Sequence, residues 1–121
     1  MSLPIPDRVP KPGLYYHYKH DPNGPINNYA YEVIGVGFHT EEDARKGEEH
    51  FVNYRPLYRS SVVEASEKLG IECFDNRPLK KWMADVEKDG KTFPRFRLIT
   101  DPLVIHDIWR HHLYLDKGLS S

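Results

Sequence analysis

The sequence predicts a mainly β protein, a small curled barrel carrying a short inserted helix and a C-terminal helix. Three observations carry that prediction. Two aromatic-rich runs, residues 14–20 (LYYHYKH) and 29–39 (YAYEVIGVGFH), show the residue types and two-residue alternation of strands. Asp89–Gly90 is the strongest hairpin signal in the chain, because a type I′ turn needs positive φ at both central residues. Gly35 and Gly37 fall on one strand face, where small barrels bend their strands.

The elements follow in order. Pro4, Pro6, Pro10 and Pro12 make residues 1–12 an extended arm. In the first strand, Leu14, Tyr16, Tyr18 and His20 share one face, and Tyr15, His17 and Lys19 share the other. Tyr16 and Tyr18 are assigned to the core with Leu14, leaving Tyr15, His17 and Lys19 outside. The turn formers of DPNGPINN make a loop. Along residues 29–39, Tyr31, Val33, Gly35, Gly37 and His39 are expected on one face. Thr40 with the acids that follow reads as a short helical connector ending at Gly47. Residues 50–59 (HFVNYRPLYR) form the third strand, which frays at Pro56.

Ser61 and Glu64 have the spacing of a capping box, and Gly70 suits a helix C-terminus, so a helix is expected over 62–69. Residues 71–74 (IECF) read as a brief strand. Pro78 opens a short helix with Leu79, Trp82 and Met83 on its inner side. The Asp89–Gly90 turn joins strands over 84–88 and 92–99. Asp101 followed by Pro102 then starts a helix over 102–115, with Ile105, Ile108, Trp109, His112 and Leu115 on one stripe. The domain boundaries expected are 1–12 for the arm, 13–100 for the barrel and 101–121 for the helical extension.

Composition narrows the function. The 121 residues are 39% hydrophobic and 29% charged, with eight Tyr, five Phe and two Trp to anchor a thin core. A net charge of −1 gives no global electrostatic reason to bind nucleic acid or an anionic membrane. There is no apolar run of the roughly 18 residues a membrane span needs, and the start lacks an apolar leader, so a cytoplasmic location is expected. One cysteine, Cys73, excludes an intrachain disulfide.

The ordered motifs carry a resemblance. Gly13, Tyr15, His17, Tyr18 and Lys19 form a G-x-Y-x-H-Y-K pattern. YEVIGVGFHTE (residues 31–41), YRPLY (54–58), Arg77–Pro78–Leu79 ahead of Trp82, and DGKTFPRF (89–96) follow it. Over residues 13–99 the chain resembles the domain of unknown function 1653 family, which implies a small SH3-like barrel and no established activity. Three features depart from that pattern. Asp75 and Asn76 stand where the family places a large apolar residue, the helix near residues 60–70 resembles an insertion, and the helix after Asp101 lies outside it.

No chemical motif stands out. His17 and His20 point to opposite strand faces, and His106 and His111 are not at the i, i+4 spacing of one helix face, so no metal site and no cofactor are expected. Cys73 has no basic neighbour to activate it and reads as a small core residue. No catalytic residue is assigned. Charge is polarised instead. Residues 77–97 hold seven basic against three acidic groups, and residues 41–49 hold five acidic against two basic. Arg55 and Arg59 share a strand face, as do Arg95 and Arg97, and adjoining strands would join them near tyrosine rings. The alternative is that these arginines are solvated edge residues pairing with the acidic connector of residues 41–49.

The candidate ligand-binding residues are therefore Tyr15, His17, Lys19, His39, Arg55, Tyr58, Arg77 and Arg95. The function expected is a binding module for a peptide, protein or nucleic-acid partner. Alternatives are a small enzyme with His17 and His39 in one pocket, and a homo-oligomer through the C-terminal helix.

Overall fold

A computed structural model of the chain describes residues 5–41 and 49–112. The expected connector helix after Thr40, and the end of the C-terminal helix beyond His112, lie outside the described residues.

The protein is mainly β. Strands β1 (Gly13–His17), β2 (Ala30–Phe38), β3 (His50–Pro56), β4 (Asp75–Pro78) and β7 (Phe96–Leu98) form one antiparallel sheet in the order β4-β3-β2-β1-β7. Strands β5 (Asp85–Lys88) and β6 (Lys91–Pro94) form a separate hairpin. Helices α1 (Ser61–Leu69), α2 (Leu79–Met83) and α3 (Pro102–His111) complete the described chain.

Both faces of the sheet are covered. The inner face carries Tyr15, Val33, Val52, Tyr54 and Phe96, closed by Leu79 and Trp82 of α2. The outer face carries Leu14, Tyr16, Ala30, Leu57 and Ile99, closed by Ile108 of α3. Leu14, Tyr15 and Tyr16 are therefore all buried. The expectation that Tyr15 stands outside is corrected: β1 is an interior strand sandwiched between two helices, so it has no solvent face over these residues.

The sheet curls about its inner face. In a flat sheet β4 and β7 would lie about 19 Å apart, four strand spacings of roughly 4.8 Å. Here Trp82, in the helix directly after β4, stacks on Phe96 of β7 with ring centres 3.6 Å apart. No ladder joins β4 to β7, so among the described residues the roll is held shut by side chains.

A β-bulge in β2 contributes to the curl. Val33 pairs with Tyr54 and Gly35 with Asn53, so Ile34 is the extra residue. The slip moves Val36, instead of Gly35 and Gly37, onto the face of Val33, because Val36 pairs with inward-facing Val52. Four further expectations are corrected. The predicted 92–99 strand is two strands in different sheets, since Pro94 cannot donate to a ladder and Arg95 carries the crossing. Residues 71–74 are not a strand; the Cys73 N–H donates to Ser66 Oγ at 2.8 Å, and β4 begins at Asp75. Cys73 is half-buried and outside both core clusters. The N-cap of α1 is Ser60, whose side chain makes no capping bond, so the Ser61 capping box does not form.

Other punctuation is used as read. Gly70 ends α1 in the left-handed region (φ 71°). Asp89 (φ 53°) and Gly90 (φ 74°) form the β5–β6 turn. Asp101 caps α3 by accepting from the Leu103 N–H at 2.9 Å. Among the described residues no helix is long and apolar enough to cross a membrane.

Candidate functional site

At the C-terminal end of β1 the sheet brings ring and guanidinium groups together. The backbone sets this up. The His17 N–H donates to the Tyr29 carbonyl at 3.0 Å, and the Tyr18 N–H donates to the Arg95 carbonyl at 2.8 Å. His17 therefore sits between the loop before β2 and the crossing before β7. On the far edge, Asp75 pairs with Tyr54, and Arg77 pairs with Val52, so both point to the inner face.

Phe96 is the hub. His17 meets its ring edge-on at 5.1 Å, Tyr31 at 5.9 Å, and the Arg77 guanidinium lies 5.6 Å from its centre. Arg95 lies 6.0 Å over Tyr18. Tyr29 packs against His17 at 5.6 Å and Tyr58 at 6.0 Å. The Tyr58 and Tyr31 hydroxyls share a hydrogen bond at 2.5 Å.

The electrostatics follow from burial beside cations. Desolvation, reinforced by Arg77, Arg95 and Lys19, lowers the His17 pKa to about 4, so the ring is neutral at pH 7. Its Nδ1 accepts from the Lys19 N–H at 3.2 Å, which leaves the proton on Nε2 as a donor. Burial raises the Asp75 pKa against the pull of Arg77. Burial also raises Tyr31 and Tyr58, so both hydroxyls keep their protons. The Nε atoms of Arg77 and Arg95 are buried with no hydrogen-bond acceptor among the described residues. The cluster is thus rich in donors, and it suits an acceptor-rich, anionic ligand.

The structure treats the eight candidate residues unequally. It brings His17, Tyr58, Arg77 and Arg95 into this cluster, with exposed Lys19 at its rim. Tyr15 lies beneath it, buried edge-on against Trp82, its hydroxyl donating to the Lys11 carbonyl at 2.8 Å. His39 is elsewhere. It follows the far end of β2, ten residues beyond Tyr29, or roughly 30 Å along an extended chain. The pairing of His17 and His39 in one pocket does not occur.

Arg55 is also elsewhere. Strands β2 and β1 separate β3 from β7, so the four-arginine grouping is corrected. Arg55 donates from Nε to Glu32 and from Nη1 to Glu72, each at 2.6 Å, and lies 5.8 Å from the Trp109 ring. Arg59 pairs with Glu67. These arginines serve the outer face; β3 is an interior strand, and their partners are Glu32, Glu72 and Glu67.

Sequence reasoning missed Tyr29, Tyr31, Asp75 and Phe96 as members. Asp75 and Arg77 alternate on a strand, which is a readable signal once β4 is placed correctly. Tyr29 adopts φ 52°, a conformation that its own residue type disfavours, so no local pattern announces it.

The geometry defines a small curled β-sheet protein with one donor-rich aromatic cluster on its inner face. The chain belongs to the family described as protein of unknown function (DUF1653), whose model matches residues 13–98. It is similar to a crystal structure of a protein of the same family from Bordetella bronchiseptica, at 26% sequence identity and a TM-score of 0.48, covering 75% of this chain and 92% of that one. No curated protein matches the sequence.

Proposed function

We propose that this protein is a binding module, an SH3-like roll of residues 13–100, whose inner-face cluster receives an anionic group of its partner. One observation carries the reading: Arg77 on edge strand β4 and Arg95 in the crossing before β7 both disfavour the charged form of His17, and each keeps a buried Nε with no acceptor among the described residues. An unsatisfied buried donor costs about 1–3 kcal/mol, which an incoming acceptor would recover. His17 Nε2–H adds a third donor, and Lys19 adds charge at the rim.

Calorimetric titration of the full chain with an acidic peptide, a polyphosphate and a single-stranded oligonucleotide tests the reading. Binding of at least one, weakened about tenfold or more by Arg77→Gln or Arg95→Gln and unchanged by Arg55→Ala, supports it. No heat from any of the three, or equal binding by all variants, overturns it.

A further inference from the structure

We propose that the group recognised is a nucleotide, its base resting on the Tyr29 ring and its phosphate engaged by Arg77, Arg95 and the Nε2–H of His17. This deepens the binding reading above and rests on it. Tyr29 carries the step. A bulky residue at φ 52° costs about 1–2 kcal/mol relative to ordinary backbone, and such strain is retained where the surroundings enforce it and a site uses it. Enforcement is visible: the Tyr29 carbonyl accepts from His17, and the Ala30 N–H is tied to the Asn27 carbonyl at 3.0 Å. The strained backbone places Tyr29 at the surface, where the residue stays 39% exposed.

What that ring borders is also specific. On one side it stacks on His17, beside the arginines. On the other it lines a cleft of about 280 Å³ together with Tyr58 and Pro25. A π-faced wall adjoining a donor cluster matches the two halves of a nucleotide, a flat base and an anion. An acidic side chain would use the guanidiniums alone and leave Tyr29 without a purpose. The amides of Asn27 and Asn28 donate to the Leu57, Asp21 and Pro25 carbonyls, and among the cleft's other lining residues Tyr29, Tyr58 and His111 are ring-bearing, so the cleft favours stacking and the site should accept different bases.

The ligand could arrive as a free mononucleotide or as part of a single strand, and the test separates these sources. The full chain is titrated with adenosine monophosphate, an eight-nucleotide mixed-sequence single-stranded RNA, inorganic phosphate and a glutamate-rich peptide. Saturable binding of the monophosphate or the RNA, tighter than inorganic phosphate and weakened about tenfold or more in Tyr29→Gly, is expected. Tyr29→Phe should bind like the wild type. Glycine tolerates positive φ, so Tyr29→Gly should keep the fold, and Tyr29→Asn provides a second ring-less variant. Binding of RNA but not of the monophosphate assigns the site to a strand. Peptide binding without nucleotide binding overturns this inference and leaves the broader reading standing. Binding of neither overturns this inference, and the broader reading falls with it when polyphosphate also gives no heat. Nucleotide binding unaffected by loss of the Tyr29 ring overturns the assignment to Tyr29.

Discussion

Arg77, on one edge strand of the sheet, holds its guanidinium 5.6 Å from the ring centre of Phe96, on the opposite edge strand. Two residues that a flat sheet would keep far apart are in contact, because the sheet is rolled, and among the described residues no ladder closes it. The roll therefore depends on the side chains that span its gap.

Phe96 is the test of that dependence. It is 8% exposed and contacts Trp82, His17, Tyr31 and Arg77 at once. Phe96→Ala should cost about 3–5 kcal/mol in urea unfolding, the usual range for removing a buried aromatic. Arg77→Met keeps the stem and loses the cation, so it should cost less than about 1 kcal/mol. A Phe96→Ala loss below about 1 kcal/mol would mean that something else holds the edges together.

His17 should make stability depend on pH. Its folded pKa is about 4, below the ordinary 6.5, because burial and three cations disfavour its charged form. In the unfolded chain it binds a proton near pH 6.5. The stabilising contribution is therefore complete above pH 6.5 and is lost as pH falls from 6.5 to about 4. The ring is partly solvated, so the loss is about 1–2 kcal/mol after screening, smaller than the full shift implies. Asp75 acts in the opposite sense: its raised pKa favours the protonated form, so it contributes stability at acid pH that fades as pH rises. The His17→Gln variant should unfold with a flatter pH profile between 6.5 and 4. Identical slopes in the two proteins would remove His17 as the cause.

How much of this was legible follows from what each signal depends on. Asp89–Gly90, Gly70 and Asp101–Pro102 work through local backbone geometry, and each does what its residue type dictates. The stripe of α3 was also readable, and Ile108 is spent on the protein's own sheet. The faces of β1 were not readable, because alternation distinguishes two faces only when one meets water. The bulge at Ile34 was hidden too; a single extra residue reverses the faces beyond it and leaves the composition of β2 unchanged. The site suffered most. Arg55 and Arg95 fall in segments that both read as strands in the sequence, but Arg95 lies in the crossing before β7, and the order of the sheet keeps it away from Arg55 on β3.

The hairpin turn makes a narrow prediction. Gly90 has φ 74°, where a Cβ is disfavoured even though open space surrounds it. Gly90→Ala should destabilise the β5–β6 hairpin by about 1–2 kcal/mol through backbone strain alone. Faster amide exchange should appear in residues 85–94 and leave the five-stranded sheet unchanged, since the hairpin forms a separate ladder. Uniform acceleration across both sheets would show that the two unfold as one unit.

Ile108 tests whether α3 is integral to the fold. Its side chain is fully buried against the outer face, among Leu14, Tyr16, Ala30, Leu57 and Ile99. Ile108→Ala should cost about 2–5 kcal/mol in chemical denaturation. Leu103, 75% exposed on the same helix, should tolerate alanine within about 0.5 kcal/mol. Equal effects at the two positions would mean that α3 does not depend on this seat.

Arg55 separates charge from function. Its two ion pairs are about a third exposed or more on the arginine and Glu72 sides, so solvent screens them. Arg55→Ala should therefore cost about 1 kcal/mol or less, part of it from lost packing against Trp109. Because Arg55 projects to the outer face, the same substitution should leave ligand binding at the inner cluster untouched, whereas Arg95→Gln should weaken it with little change in unfolding midpoint. Parallel titration and thermal unfolding of the two variants checks both halves. Loss of binding in Arg55→Ala with an intact fold would move the site to the outer face, under α3.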